Sequence, residues 1–144
     1  MDARTDMAEP TVKKKILVVD DEESMRVSLL DALRFEGFAV FGASDGEEGL
    51  QVALREKPNL ILLDIIMPKM NGLLMAKKLR GDPWGKTVPI VVITNLNMDQ
   101  QFIEHEVGTD PSNYLMKPNW TLDDIVKKTR EVLEAHSPKV GVRE

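Results

Sequence analysis

The sequence predicts an α/β fold: one open, parallel, five-stranded sheet with helices on both faces. Three observations carry that expectation. Strand-like and helix-like patterns alternate five times along the chain, the order of a repeated β-α unit. Three strand candidates, Ile16-Leu17-Val18-Val19, Leu60-Ile61-Leu62-Leu63 and Ile90-Val91-Val92-Ile93, are continuously apolar. Such runs suit strands covered on both faces, because a sheet with one wet side would alternate polar and apolar residues. The 144 residues suffice for one such domain with a core of its own.

Residues 1–13 are polar, carry Pro10 near their end and read as a disordered tail, so the domain is expected over 14–134. After the first strand, residues 24–35 place Met25, Leu29, Ala32 and Leu33 on one helical face, and Gly37 follows as a stop. Phe38-Ala39-Val40-Phe41 is a weaker second strand. Asp45 as N-cap with Glu48 three positions on opens a helix over 46–56, which Pro58 ends. Helices are expected over 72–80 and about 98–107, the latter leading to a short fifth strand at Tyr114-Leu115-Met116. The last helix opens on a Thr121 cap with Asp124 at its third position and Trp120 stapled onto Ile125. It is expected to run to about Glu134, leaving 135–144, with Pro138 and Gly141, as a second tail.

Composition excludes several function classes. Hydrophobic residues at 42% and charged residues at 30% are an ordinary globular balance. A formal net charge of −5 argues against direct nucleic-acid binding, for want of a basic surplus to neutralise phosphates. The absence of cysteine excludes disulfides and thiolate metal sites and suits a reducing cytoplasm, the expected location. No apolar run approaches the roughly 18 residues of a membrane span, so no membrane association is expected. Met1 to Thr11 lacks the apolar stretch of a signal peptide.

In open α/β sheets the ligand site lies beyond the carboxyl ends of the strands. Asp20, Asp21 and Glu22 follow the first strand, Asp64 ends the third, Thr94 ends the fourth and Lys117-Pro118 follows the fifth. A parallel sheet gathers these ends on one rim, as a carboxylate cluster beside one hydroxyl and one ammonium. Each like-charged pair at about 4 Å costs roughly 4 kcal/mol at an effective dielectric near 20, so the cluster asks for a cation. Oxygen-only donors select a hard ion such as Mg²⁺, with Mn²⁺ as a substitute. A carboxylate beside such an ion can attack phosphorus and form an aspartyl phosphate, with Lys117 neutralising the transferring oxygens and Thr94 donating to one of them. Singly, Asp20 and Asp21 read as helix caps, Asp64 as a turn former, Thr94 as a strand residue and Lys117 as a surface charge; their joint placement favours the chemistry. His105 and His136 have no carboxylate or serine at useful spacing and read as surface residues. Gly42, Gly46 and Gly49 lack the spacing of a phosphate loop.

Taken in order, Ile16-Leu17-Val18-Val19-Asp20-Asp21-Glu22, Asp64-Ile65-Ile66-Met67-Pro68, Asn71-Gly72, Val91-Val92-Ile93-Thr94 and Tyr114-Leu115-Met116-Lys117-Pro118 resemble the receiver domain of two-component response regulators, of the stand-alone type. The resemblance covers about residues 14–134. It implies a flavodoxin-like, doubly wound (βα)5 fold with strand order 2-1-3-4-5. It implies Asp64 as phospho-acceptor and Mg²⁺ held by Asp20, Asp21, Asp64 and the backbone carbonyl of Ile66. It implies Thr94 and Tyr114 as a switch pair, Lys117 as the phosphate-contacting lysine and a cis Lys117–Pro118 peptide that aims it. The donor would be a phosphohistidine on a sensor histidine kinase or histidine phosphotransfer protein. The output would be a changed surface on the fourth helix, fifth strand and fifth helix, offered to a downstream protein, with a phosphorylation-dependent homodimer left open. The short segment after the last helix leaves no room for an output domain, so a stand-alone switch is expected.

Three departures from the family pattern stand out. Asn95 follows the switch threonine where a small residue is usual, and narrows access to Asp64. Ile66 and Leu96 are apolar where some members carry polar groups that orient a hydrolytic water, so slow self-dephosphorylation is expected. The stretch from Gly108 to Tyr114 is longer than usual, which points to a remodelled fourth helix or loop. The expected role is that of an acceptor and switch, not a turnover enzyme. Two alternatives compete: a degenerate receiver that acts as a phosphorylation-independent interaction module, which the intact acidic, hydroxyl and lysine set argues against, and an aspartate-nucleophile phosphatase, which would carry its two acids as DxD after one strand.

Overall fold

A computed structural model describes residues 12–108 and 113–136. The strands are β1 (Lys15–Val19), β2 (Ala39–Ala43), β3 (Leu60–Leu63), β4 (Ile90–Thr94) and β5 (Tyr114–Met116). The helices are α1 (Glu23–Phe35), α2 (Gly46–Glu56), α3 (Gly72–Arg80), α4 (Gln100–Ile103, continued by a π turn over Glu104–Gly108) and α5 (Leu122–His136). All strand pairs are parallel and the order is β2-β1-β3-β4-β5. This is the flavodoxin-like sheet expected from the sequence.

The apolar runs are what the two-sided sheet requires. Leu17, Val19, Ile61, Leu63 and Val92 pack on one face with Val52 of α2, Met75 of α3 and Ile103 of α4. Ile16, Val18, Leu60, Leu62 and Val91 pack on the other with Leu29 and Leu33 of α1 and Ile125 and Leu133 of α5. Every residue of β3 and β4 is buried, so truncating one of their aliphatic side chains to Ala would cost about 2–5 kcal/mol.

Local signals set the helix ends. Asp45 caps α2 by accepting from Glu48 N at 2.8 Å, and Glu48 reaches back to Ser44 N at 2.9 Å. Lys57, in the left-handed region at φ 48, ends that helix before Pro58. At α5, Thr121 and Asp124 exchange bonds of 3.1 Å in both directions, and Trp120 packs against the cluster that holds Ile125. Helix α5 continues to His136, two residues past the expected end. The expected tails over 1–13 and 135–144 otherwise lie mostly outside the described residues; Val12 and Lys13 are exposed.

The fourth helix departs from expectation. A regular helix over about 98–107 is replaced by four α-helical residues and a π turn. Only Ile103 and Val107 are buried along it, too narrow an apolar stripe to impose regular winding. Residues 109–112 of the long Gly108–Tyr114 connection lie outside the described residues. No helix of the described residues is long and apolar enough to cross a membrane.

Candidate functional site

The central strands carry their hydrogen-bond ladder one residue past their ends. Asp20 N donates to Ala43 O and Asp64 N to Val19 O, each at 3.0 Å. These bonds fix Asp20 and Asp64 side by side on the carboxyl rim. Asp20 and Asp64 are buried and Asp21 is exposed, and one carboxylate oxygen from each lies within 4.8 Å of the others. Directly behind Asp64 is Gly72, where a Cβ would lie 2.2 Å from the Asp64 carbonyl oxygen. Only glycine allows α3 to start so close to that strand end.

Lys117 completes the cluster. Its Nζ lies 3.0 Å from Asp20 Oδ2, 3.2 Å from Asp64 Oδ2 and 3.3 Å from Glu22 Oε1, with the side chain only 9% exposed. Burial alone would lower its basicity, but the Asp20 and Asp64 carboxylates outweigh that and raise it above the ordinary lysine value. Burial pushes the Asp20 carboxyl above its ordinary value, and the Asp64 charge adds to this. The Glu22 N–H, at 2.9 Å, and Lys117 pull the other way without cancelling it. One ammonium among four carboxylates leaves an excess of negative charge on oxygen donors alone. That donor set fits a hard divalent cation.

The expected cis Lys117–Pro118 bond is not found: no cis peptide bond occurs among the described residues. Lys117 is aimed instead by extended backbone at Met116 and a 3₁₀ turn over Lys117–Asn119, and its head is held by the three carboxylates. Glu22, which sequence reasoning placed on the rim but not among the site residues, belongs to this lysine's shell. Its position next to Asp20-Asp21 was the available signal.

Across the rim, an open cavity of about 320 Å³ is lined by Asp21, Glu22, Asp64, Ile66, Thr94, Asn95, Leu96 and Lys117. Thr94 is buried, and its Oγ1 accepts from Leu96 N at 3.2 Å. Ile66 N donates to Asp64 Oδ1 at 3.4 Å while the Ile66 side chain is 58% exposed beside it. Tyr114, two residues along β5 from the Thr94 partner Met116, is buried. Its hydroxyl donates to Leu96 O and accepts from Met98 N at 2.7 Å, pinning the β4–α4 loop from below. His105 and His136 are remote from this set: His105 is exposed on the π turn beside Glu106, and His136 Nδ1 meets only Val132 O of its own helix.

Comparison with known proteins agrees with this geometry. The family model described as the response regulator receiver domain matches residues 16–130. The chain therefore belongs to the response regulator receiver family. It is 38% identical over 122 residues to a probable transcriptional regulator, ycf27, of Porphyridium aerugineum, covering 84% of this chain and 48% of that protein. It is 34% identical over 126 residues to response regulator MprA of Mycobacterium tuberculosis, covering 87% of this chain and 53% of that one. The chain thus spans about half the length of these relatives. Among solved structures, a CheY-like receiver domain protein of Methanospirillum hungatei superposes with a TM-score of 0.77 at 29% identity, covering 86% of this chain and 96% of that one. The chemotaxis response regulator CheY4 of Vibrio cholerae gives 0.75 at 30% identity, covering 84% and 99%. Asp20, Asp21 and Asp64 fit the Mg²⁺ site of that domain.

Proposed function

We propose that the chain accepts a phosphoryl group on Asp64 from a phosphohistidine of a sensor kinase or phosphotransfer protein, in the cytoplasm, and signals the event to a downstream protein. The observation that supports this most is the environment of the Asp64 carboxylate. It is buried on a rigid strand end, faces an open cavity, and has Lys117 on one oxygen and the Ile66 N–H on the other. In the transfer, an Asp64 oxygen forms a bond to phosphorus as the donor's P–N bond breaks and its electron pair stays on the imidazole. Lys117 then faces phosphoryl oxygens in place of a free carboxylate, and Thr94 turns its hydroxyl toward them. Asp20, Asp21, Asp64 and the Ile66 carbonyl would hold Mg²⁺ or Mn²⁺, which neutralises charge on the transferring group.

The readout follows from the loop that Thr94 and Tyr114 share. Drawing Thr94 inward breaks its bond from Leu96 N, and Leu96 is also an anchor of the Tyr114 hydroxyl. The α4-β5-α5 surface then changes together, with contact differences of a few kcal/mol sufficing to shift the population. A homodimer formed on phosphorylation would use that surface. The chain acts as an acceptor and switch, with slow self-dephosphorylation: Ile66 and Leu96 give a hydrolytic water no polar anchor. Intact-mass measurement after acetyl phosphate and Mg²⁺ tests the reading. Wild type should gain one phosphoryl mass and Asp64→Asn none; equal gain by both would refute it.

A further inference from the structure

Glu22 stands at the N-cap of α1, yet its side chain makes no capping bond. Its carboxylate reaches across the rim instead and meets Lys117 Nζ at 3.3 Å, with 55% of the side chain exposed. The other two carboxylates on that ammonium, those of Asp20 and Asp64, are buried. Two cavities at the rim, of about 320 and 290 Å³, share Glu22, Asn95 and Lys117 in their walls. Glu22 therefore stands where a donor enters and where its leaving group departs. We infer, on the reading that Asp64 accepts the phosphoryl group, that Glu22 sets the choice of phosphodonor: it disfavours small donors whose leaving group departs as an anion, and tolerates donors that leave as a neutral nitrogen base.

Phosphoryl oxygens entering the cavity need the Lys117 ammonium, which the Glu22 carboxylate already holds. Every donor meets that competition alike. The leaving group distinguishes them. Attack by an Asp64 oxygen expels it in line, on the far side of phosphorus, and so outward through the cavity that Glu22 lines. From acetyl phosphate, the P–O bond breaks and its electron pair departs on acetate, a developing negative charge that passes a fixed one. From a phosphohistidine, the P–N bond breaks and its pair stays on an imidazole that leaves uncharged. Phosphoramidate, protonated on nitrogen, likewise loses neutral ammonia. Like charges a few ångströms apart in an open, wet cavity repel enough to change a rate severalfold, and a neutral leaving group escapes that repulsion. Because the Glu22 side chain caps nothing, its charge has no duty in starting α1.

Initial rates of phosphoryl mass gain by the full chain, with acetyl phosphate and with phosphoramidate at saturating Mg²⁺, test this. Glu22→Gln keeps the shape of the side chain and removes its charge. Its rate with acetyl phosphate should rise about fivefold over wild type at low salt, its rate with phosphoramidate by less than about twofold, and added salt should shrink the difference. Glu23→Gln, which removes an exposed charge one residue along, should leave the ratio of the two rates at the wild-type value. Equal acceleration with both donors, no acceleration with either, or the same change of ratio in Glu23→Gln would overturn the inference and leave Asp64 as the acceptor. A wild type that gains mass from neither donor would sink the phosphoryl reading, and this inference with it.

Discussion

The two sides of the rim are built on opposite plans. On the β1–β3 side, Asp20 and Asp64 ride a backbone ladder extended past the strand ends, over a strand whose four residues are all buried. On the β4–α4 side, the chain from Asn95 onward is held by a handful of bonds: the Tyr114 hydroxyl at Leu96 and Met98, the Asp99 cap at Phe102 N, and the Arg80 guanidinium at the far end. The first plan fixes the reacting groups through backbone hydrogen bonds to neighbouring strands. The second has few buried anchors, so its local opening costs much less than global unfolding. A receiver needs both: an acceptor that does not move and a reader that does.

The largest expected effect tests the fixed side. Lys117→Met leaves the carboxylates without their internal cation, and should lower the stability of metal-free protein at neutral pH by about 3 kcal/mol in denaturant melts. Mg²⁺, or acidification into the carboxylate range, should recover much of it. Because the folded value for Lys117 lies above the ordinary 10.5, its contribution is fully present below that pH and is lost as pH rises through the folded value. Wild type should therefore show an alkaline loss that the variant lacks.

A smaller effect tests the reader. Arg80 donates from Nε to Val107 O at 2.8 Å, from Nη1 to Gly85 O and Val88 O at 2.7 Å each, and from Nη2 to Gly108 O at 3.0 Å. It ties the end of α3 and the segment after it to the end of the π turn. Arg80→Met should cost about 2 kcal/mol, the scale of orphaned carbonyls that water partly satisfies. Amide exchange should accelerate at 104–108 while acetyl phosphate uptake on Asp64 persists. Lost uptake would mean that the two sides are not separable.

The smallest effect is a control remote from both. Thr121→Ala breaks the α5 capping box and should cost about 1 kcal/mol. The Thr121 N–H and O–H hold the Asp124 carboxyl below the ordinary 3.8. That stabilisation is present above 3.8 and is lost as pH falls through the folded value, so acid melts of the variant should be less pH-dependent.

The same contrast explains what could be read in advance. The fixed side is written in residue types at strand ends: apolar runs fix where β1, β3 and β4 stop, and Asp20, Asp64, Thr94 and Lys117 come next. The capped helices α2 and α5 were equally legible because Asp45–Glu48 and Thr121–Asp124 act within one turn. The α4 region was legible only in part: the long Gly108–Tyr114 stretch pointed to a remodelled fourth helix or loop, but the π turn itself is held by tertiary bonds from Arg80 that no local pattern announces. The Glu22 contact to Lys117 was missed for a related reason: it depends on how the ends of β1, β3 and β5 come together around one ammonium.

Phosphate is expected on one particular carboxylate, that of Asp64. Reducing acetyl phosphate-treated protein with borohydride and mapping the peptides tests it most directly, because an aspartyl phosphate is converted to homoserine in place. Homoserine at position 64 and at no other acid is the predicted result. Homoserine at position 20 or 21, or none in protein that has gained phosphoryl mass, would contradict phosphorylation of Asp64.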